Sequence, residues 1–271
     1  MPRASYIGIT VSMVLLGLAL AIWLPITSQD VHLALNGTEH TLRLSGTVLL
    51  AVVLVVLVST GMDAVTRPLF APSGELGKRI PLWVLPAMVA VAGLVTTEDL
   101  WWGYQLVILG ITGLALTVVM LAEYHAAYEG SQAQPIARLT LQAFAYVAAV
   151  VLFATLYEAR PRGIVLGSGT LLLSGGLALV LLQGSSASTN LIWLYASVVG
   201  LSMGELTLAL NYYLLDVRVA GAFLLLIFYV LTGLAQQHLW HRLTRRVIGE
   251  YLTIATVGLV VLTYLGRSVA S

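Results

Sequence analysis

Residues 46–63 read GTVLLAVVLVVLVSTGMD, and no charged residue stands between Gly46 and Asp63. An α-helix crosses a hydrocarbon core of about 30 Å in about 20 residues, with every backbone N–H and C=O satisfied inside the segment. The stretch therefore reads as a membrane-crossing helix. Working outward, comparable runs occupy 5–26, 80–97, 100–122, 137–157, 164–182, 190–213, 218–237 and 249–266. The expectation is an all-α, polytopic transmembrane helix bundle of about nine helices, forming a single integral membrane domain over residues 1–271. No small-residue cleavage site precedes Thr27-Ser28-Gln29-Asp30, so the first run reads as a retained helix rather than a removed signal peptide.

The composition agrees with that reading and excludes several others. The chain is 59% hydrophobic and 9% charged, whereas soluble domains carry roughly 25% charged residues. No water-soluble fold of this length hides so much apolar surface. The absence of cysteine excludes disulfides, thiolate metal sites, iron–sulfur clusters and a cysteine nucleophile. A net charge of +1 offers no basic field, so no nucleic-acid partner is expected. The single lysine, Lys78, stands in a polar loop, which rules out a retinal Schiff base in a span. His32, His40, His125, His238 and His241 all lie outside mid-membrane positions, against a bis-histidine haem. No cofactor and no metal site is expected.

Arginine and lysine in the loops set the orientation. With the N-terminus inside, Arg3, Arg67, Lys78, Arg79, Arg138, Arg242, Arg245 and Arg246 gather on the cytoplasmic side. Arg43, Arg160, Arg162, Arg218 and Arg267 then lie outside. The bias favours a cytoplasmic N-terminus and an extracytoplasmic C-terminus, in the inner (plasma) membrane of a bacterium. Residues 29–44, QDVHLALNGTEHTLRL, alternate around Asn36-Gly37, a preferred centre for a type I′ turn. They read as an extracytoplasmic β-hairpin with Val31, Leu33, Leu35, Leu42 and Leu44 on one face, resting on helix ends or serving as a lid.

Ionisable residues inside spans are costly and carry most of the functional information. Glu205 stands out in the seventh run. Tyr195, Ser202, Glu205, Tyr212 and Asp216 follow at spacings of seven, three, seven and four, which puts them on one helical face. The candidate ligand-binding set on the outer side is Glu205, Tyr212, Asn211, Asp216, Ser202, Glu98, Asp99, Glu158 and Arg160. Trp101 and Trp102 read as interfacial anchors. At the cytoplasmic ends, His238, His241 and His125 could hold a metal only if helices four and eight were neighbours. Snorkelling beside lipid headgroups is the preferred reading. Arg138, Gln142 and Tyr146 form a polar stripe in the fifth run, with Arg138 placed to pair with Glu123 or Glu129.

Gly200-Leu201-Ser202-Met203-Gly204 matches G-x-S-x-G, but a nucleophile elbow needs a strand-turn-helix and a base, and neither is present. The glycines read instead as a GxxxG face admitting a neighbouring helix closely. No catalytic residue is assigned, and whether the chain is an enzyme stays open, with the balance against it.

Together, the first helix, the hairpin, Thr60-Gly61-Met62-Asp63, Gly204-Glu205-Leu206-Thr207 and Asn211-Tyr212 resemble an uncharacterised family of multi-pass bacterial membrane proteins. That resemblance implies a membrane protein of bacterial origin and no activity. The favoured function is a scaffold or subunit of a membrane assembly, with the lipid bilayer, other membrane proteins or further copies of the chain as partners. A transporter or channel for a small solute or lipid, built on the polar cluster around Glu205, comes second. A membrane enzyme acting on a lipid-type substrate comes third.

Overall fold

A computed structural model of the chain describes residues 4–23, 29–35, 38–44, 46–70, 76–97, 101–128, 132–159, 163–185, 187–212 and 216–270. The described helices are α1 (Ala4–Trp23), α2 (Gly46–Phe70), α3 (Leu76–Thr97), α4 (Trp102–Ala127), α5 (Gln134–Glu158), α6 (Gly163–Leu182), α7 (Thr189–Leu210), α8 (Val217–Leu239) and α9 (Arg245–Ala270). Nine helices among the described residues are long and apolar enough to cross a membrane, which is compatible with a multi-pass membrane protein. Several ends differ from the hydropathy reading. α2 continues through Arg67 and Pro68, because a proline in the last turn removes only one hydrogen bond. α7 stops at Leu210, which leaves Asn211 and Tyr212 beyond it.

The expectation of an extracytoplasmic β-hairpin as part of the fold is corrected. Among the residues described with their side chains, every regular element is a helix and no strand is found, so the fold class is all-α. The backbone of residues 29–44 traces two short extended segments, β1 (Gln29–Leu35) and β2 (Thr38–Leu44), antiparallel with Leu35 opposite Thr38 and Asp30 opposite Arg43. Among the described residues their substantial contacts are with each other. A single two-stranded ribbon has little stability of its own, and this pair adds no β layer to the architecture. Its side chains, and with them the proposed apolar face and lid, lie outside the described residues, as do Asn36 and Gly37.

The contacts group into two compact units. The first comprises Met1–Glu75 and Pro86–Ala137, the second Leu76–Leu85 and Arg138–Ser271. In the first unit α1 packs against α2 and α4. Small residues set these approaches: Gly61 sits against the Thr10 side chain, Gly93 against Thr112 and Gly113 against Leu15. The core there is Val14, Leu18, Leu54, Val58, Met62, Leu116 and Met120.

In the second unit α6 and α7 form the most extensive helix pair, and α8 joins both. Phe153 of α5 and Phe228 of α8 meet edge to face at 5.7 Å. Gln236 Nε2 donates to the Leu181 carbonyl at 2.8 Å, and Arg138 Nη1 donates to the Gly184 carbonyl at 3.2 Å. Buried hydroxyls are satisfied within their own helices. Thr66 donates to Met62 O, Thr170 to Leu166 O, Ser174 to Thr170 O, Thr207 to Met203 O and Thr232 to Phe228 O, at 2.6–2.9 Å. This back-bonding lets polar side chains sit in apolar surroundings without a partner helix.

α8 closes with a Schellman turn. The Arg242 N–H donates to Gln237 O and the His241 N–H to His238 O, both at 2.9 Å. His241 takes φ 54°, the left-handed region that glycine prefers at this position. Because an L-residue there costs about 1 kcal/mol, His241→Gly should raise stability by about that much. The check is thermal unfolding in detergent, where His241→Val should shift the transition the opposite way.

Candidate functional site

Steric demand decides which way α7 faces. Gly200 and Gly204 present no side chain, and a Cβ at Gly200 would lie 2.8 Å from the Leu171 carbonyl oxygen. One at Gly204 would lie 2.9 Å from the Gly167 carbonyl oxygen. The glycines therefore lie on the backbone of α6. They carry Ile192, Ala196, Val199, Met203, Thr207 and Leu210 inward with them. Each helical residue turns about 100° from the one before, so Glu205 is swung away from the face that Gly204 occupies.

Glu205 is exposed on the outer arc of α7. It lies among exposed apolar side chains: Leu194 at 58%, Val198 at 54%, Leu201 at 53%, with Leu191 and Leu208. Five residues, about 7–8 Å of helix, separate it from Leu210 at the end of the apolar segment. Among the described residues it forms no ion pair and no hydrogen bond. Glu250 of α9, by contrast, pairs with Arg246 one turn away at 3.3 Å.

The other candidates scatter. Ser202 is half-buried beside the Glu205 arc. Tyr195 faces α8, its ring 5.5 Å from that of His238. Asn211 caps α7, its N–H donating to Thr207 O at 3.0 Å, and Tyr212 is 90% exposed just past the helix. Asp216 lies ahead of α8 and accepts the Ala220 N–H through its carbonyl at 2.9 Å. The residues that spacing groups on one helical face are thus spread out: Tyr195 meets α8, Ser202 is half-buried and Glu205 is exposed. Glu158 is exposed at the end of α5. Glu98, Asp99 and Arg160 lie outside the described residues. Trp101, Trp102 and Tyr104 cluster at the start of α4, ring centroids 5.2 and 6.4 Å apart, and all three are exposed. Ring stacks in that position act as interfacial anchors.

Sequence reasoning missed one group. It set Glu123 at the end of a helix as a partner for Arg138. α4 instead runs on to Ala127, so Glu123 is inside the helix and 1% exposed. Among the described residues its Oε1 has no hydrogen-bond partner; Arg138 donates to the Gly184 carbonyl. The signal was legible: Thr112, Leu116, Val119 and Glu123 follow at spacings of four, three and four, which carries the buried face of α4 through the carboxylate.

Elsewhere in the second unit a cleft of about 450 Å³ opens between α5, α8 and α9, lined by Ala222, Leu225, Leu226, Gly258, Val261 and Leu262 with the rings of Tyr146 and Tyr229. The rings of Tyr146, Tyr229 and Tyr251 follow one another at 5.8 Å. The lining is aliphatic apart from the two tyrosine rings. Among the described residues no three His, Cys, Asp or Glu side chains converge as metal ligands.

Residues 26–265 match the family described as "protein of unknown function", DUF5656. The chain belongs to the DUF5656 family. The match runs from the segment before β1 through most of α9, and so takes in Glu123, the α6–α7 pair and Glu205. It carries no activity, as the resemblance in the short motifs implied. No curated protein and no solved structure matches the chain.

Proposed function

We propose that this DUF5656 protein is an integral membrane subunit or scaffold that assembles with other membrane helices through the outer face of α7. The observation that carries the reading is Glu205. An ionisable side chain within a span almost always faces a bundle interior, a partner or a wet cavity. Glu205 points outward, among leucines and a valine, and among the described residues it forms no ion pair. Left to acyl chains it would carry an unmet desolvation cost, and a neighbouring helix relieves that cost. The transporter reading needs Glu205 to line a cavity, and outward exposure on α7 favours assembly over it. A bacterial plasma membrane and a cytoplasmic N-terminus belong to the same proposal, supported by the loop arginines and lysines.

The test is the native size of the protein extracted gently from its own membrane. Wild type should migrate as a complex larger than one chain. Glu205→Lys should disperse that complex, while Glu205→Gln, which keeps a hydrogen bond, should weaken it roughly 3- to 30-fold, since interhelical hydrogen bonds in membranes contribute about 0.6–2 kcal/mol. Thermal stability of the single chain should stay within about 0.5 kcal/mol for both variants, as for other exposed sites. A wild-type protein that is monomeric in native lipid would overturn the reading.

A further inference from the structure

We infer that Glu123 is a proton-binding site of the first unit, exchanging its proton with water at the membrane face where α1 begins. The inference stands apart from assembly through α7, since every group it uses lies in the first unit. Glu123 is 1% exposed, and among the described residues its Oε1 has no hydrogen-bond partner. Its depth follows from the packing. α1 and α2 run antiparallel, Gly17 lying against Leu54 and Gly61 against Thr10. Consecutive spans joined by short links alternate in direction, so α4 also runs against α1, with Gly113 beside Leu15. Glu123 stands about 15 Å further along α4 than Gly113, level with the first turns of α1 and the last turns of α2. It is also only about one turn short of Ala127, where α4 ends. The group is therefore sealed from solvent yet close to the membrane surface.

The surroundings then select the ligand. Ile7, Met62, Val65 and Thr66 are the buried side chains that α1 and α2 bring to this depth. The Thr66 hydroxyl is already spent on the Met62 carbonyl, at 2.8 Å. The titratable and charged groups at the same level are Tyr6 of α1, half-buried Asp63 and exposed Arg67 of α2, and Tyr124 and His125 of α4 itself. Residues 86–97 of α3 carry none, and Arg3 lies outside the described residues. None of the described groups hydrogen-bonds Oε1, and among the described residues no set of metal ligands converges there. A buried carboxylate without a partner is costly, and a group in that position is relieved by neutralisation. A metal ion would need several oxygens to do this, whereas a proton needs only the carboxylate itself. Ionisable residues buried within spans mark proton and ion routes for this reason. The step is simple: the carboxyl O–H gives its proton to water at the end of α4 and takes one back, and no other bond changes.

Infrared spectroscopy reads the group directly, because a protonated carboxylic acid has a carbonyl band that carboxylates lack. The full-length protein is compared with Glu123→Gln and Glu123→Met in a detergent free of carbonyl groups, in H2O and in D2O. At neutral pH the wild type should show the band of one carboxylic acid that both variants lose. Two variants of different polarity guard against one that fails to fold. The band should shift in D2O, as an exchanging proton requires. At alkaline pH it should decline about tenfold for each pH unit beyond its midpoint. Glu205→Gln, which removes an exposed carboxyl group from the other unit, should leave the band unchanged. A wild-type spectrum in which Glu123 is a carboxylate throughout would overturn the inference. So would a band that neither shifts in D2O nor falls at alkaline pH, which would mark a sealed acid that exchanges nothing. Neither result touches the assembly reading, which is decided by the native size of the protein.

Discussion

Gly200→Ala should unseat α6 from α7 and destabilise the protein by about 1–3 kcal/mol, the cost of forcing an extra methyl into a filled contact. The new Cβ would lie 2.8 Å from the Leu171 carbonyl oxygen and 3.1 Å from Gly175 Cα. Both obstacles are backbone, so no side chain can swing aside and the helices must part. Gly204→Ala should act alike through the Gly167 carbonyl, 2.9 Å away. Gly200→Leu, with a longer side chain in the same place, should abolish folding of the second unit.

Glycine is otherwise a poor helix former, which gives the experiment internal controls. At Gly175 a Cβ would make ordinary contacts at 3.5 and 3.7 Å, and Gly175→Ala should be near neutral. At Gly110 nothing lies within 4 Å, and Gly110→Ala should stabilise by up to about 1 kcal/mol through helix propensity alone. Thermal unfolding of purified protein in detergent reads the four alanine variants and Gly200→Leu alike. If Gly200→Ala matches Gly110→Ala in sign, the close approach of α6 and α7 is wrong.

The second large effect is expected at Glu123, with the opposite sign. Its carboxyl group is buried and Oε1 has no hydrogen-bond partner. In either protonation state Oε1 brings hydrogen-bonding capacity that no described residue satisfies, and such a buried orphan costs about 1–3 kcal/mol. Glu123→Met has similar length and no such demand, so it should raise the unfolding temperature and strengthen the protein by about that amount. Glu123→Gln should gain less, because an amide leaves the same shortage. A destabilised methionine variant would show that in its own membrane the carboxyl group has a partner, and the next measurement would be its exchange with ions or protons there.

The helices were legible because each span must satisfy its backbone internally and shed charge to do so, and Gly46–Asp63 displays both demands without structure. Their ends were less legible. α2 and α4 run past their apolar cores, since a helix stops where capping and the local chain stop it, not where hydropathy falls. The ribbon at 29–44 misled as an architectural element, because alternation and Asn36-Gly37 report strand preference and are silent on whether a packed face exists.

For the site, the sequence named Glu205 and also named Gly200 and Gly204, yet the polar stripe was taken to point toward a cluster. The glycines decide the matter. Only they can lie on the α6 backbone, and Glu205 follows Gly204 by one residue, so it turns outward. Glu123 was hidden for the opposite reason. Reading it as a helix-end charge obscured that it continues the period of Thr112, Leu116 and Val119.

The glycine contact also bears on the order in which the chain assembles as it is made. α6 and α7 are consecutive, joined by the short link 183–188, so bringing them together closes only a small loop. Where Gly200 and Gly204 meet α6 there are no glycine side chains whose rotamers must be frozen, which removes part of the entropy that ordering normally costs. α1 meets α2 across the ribbon and completes its contacts only when α4 arrives, with two helices and the ribbon synthesised between them. The α6–α7 hairpin is therefore expected to close as soon as its second arm enters the bilayer. It would present the outer face of α7, Glu205 included, while α8 and α9 are still emerging.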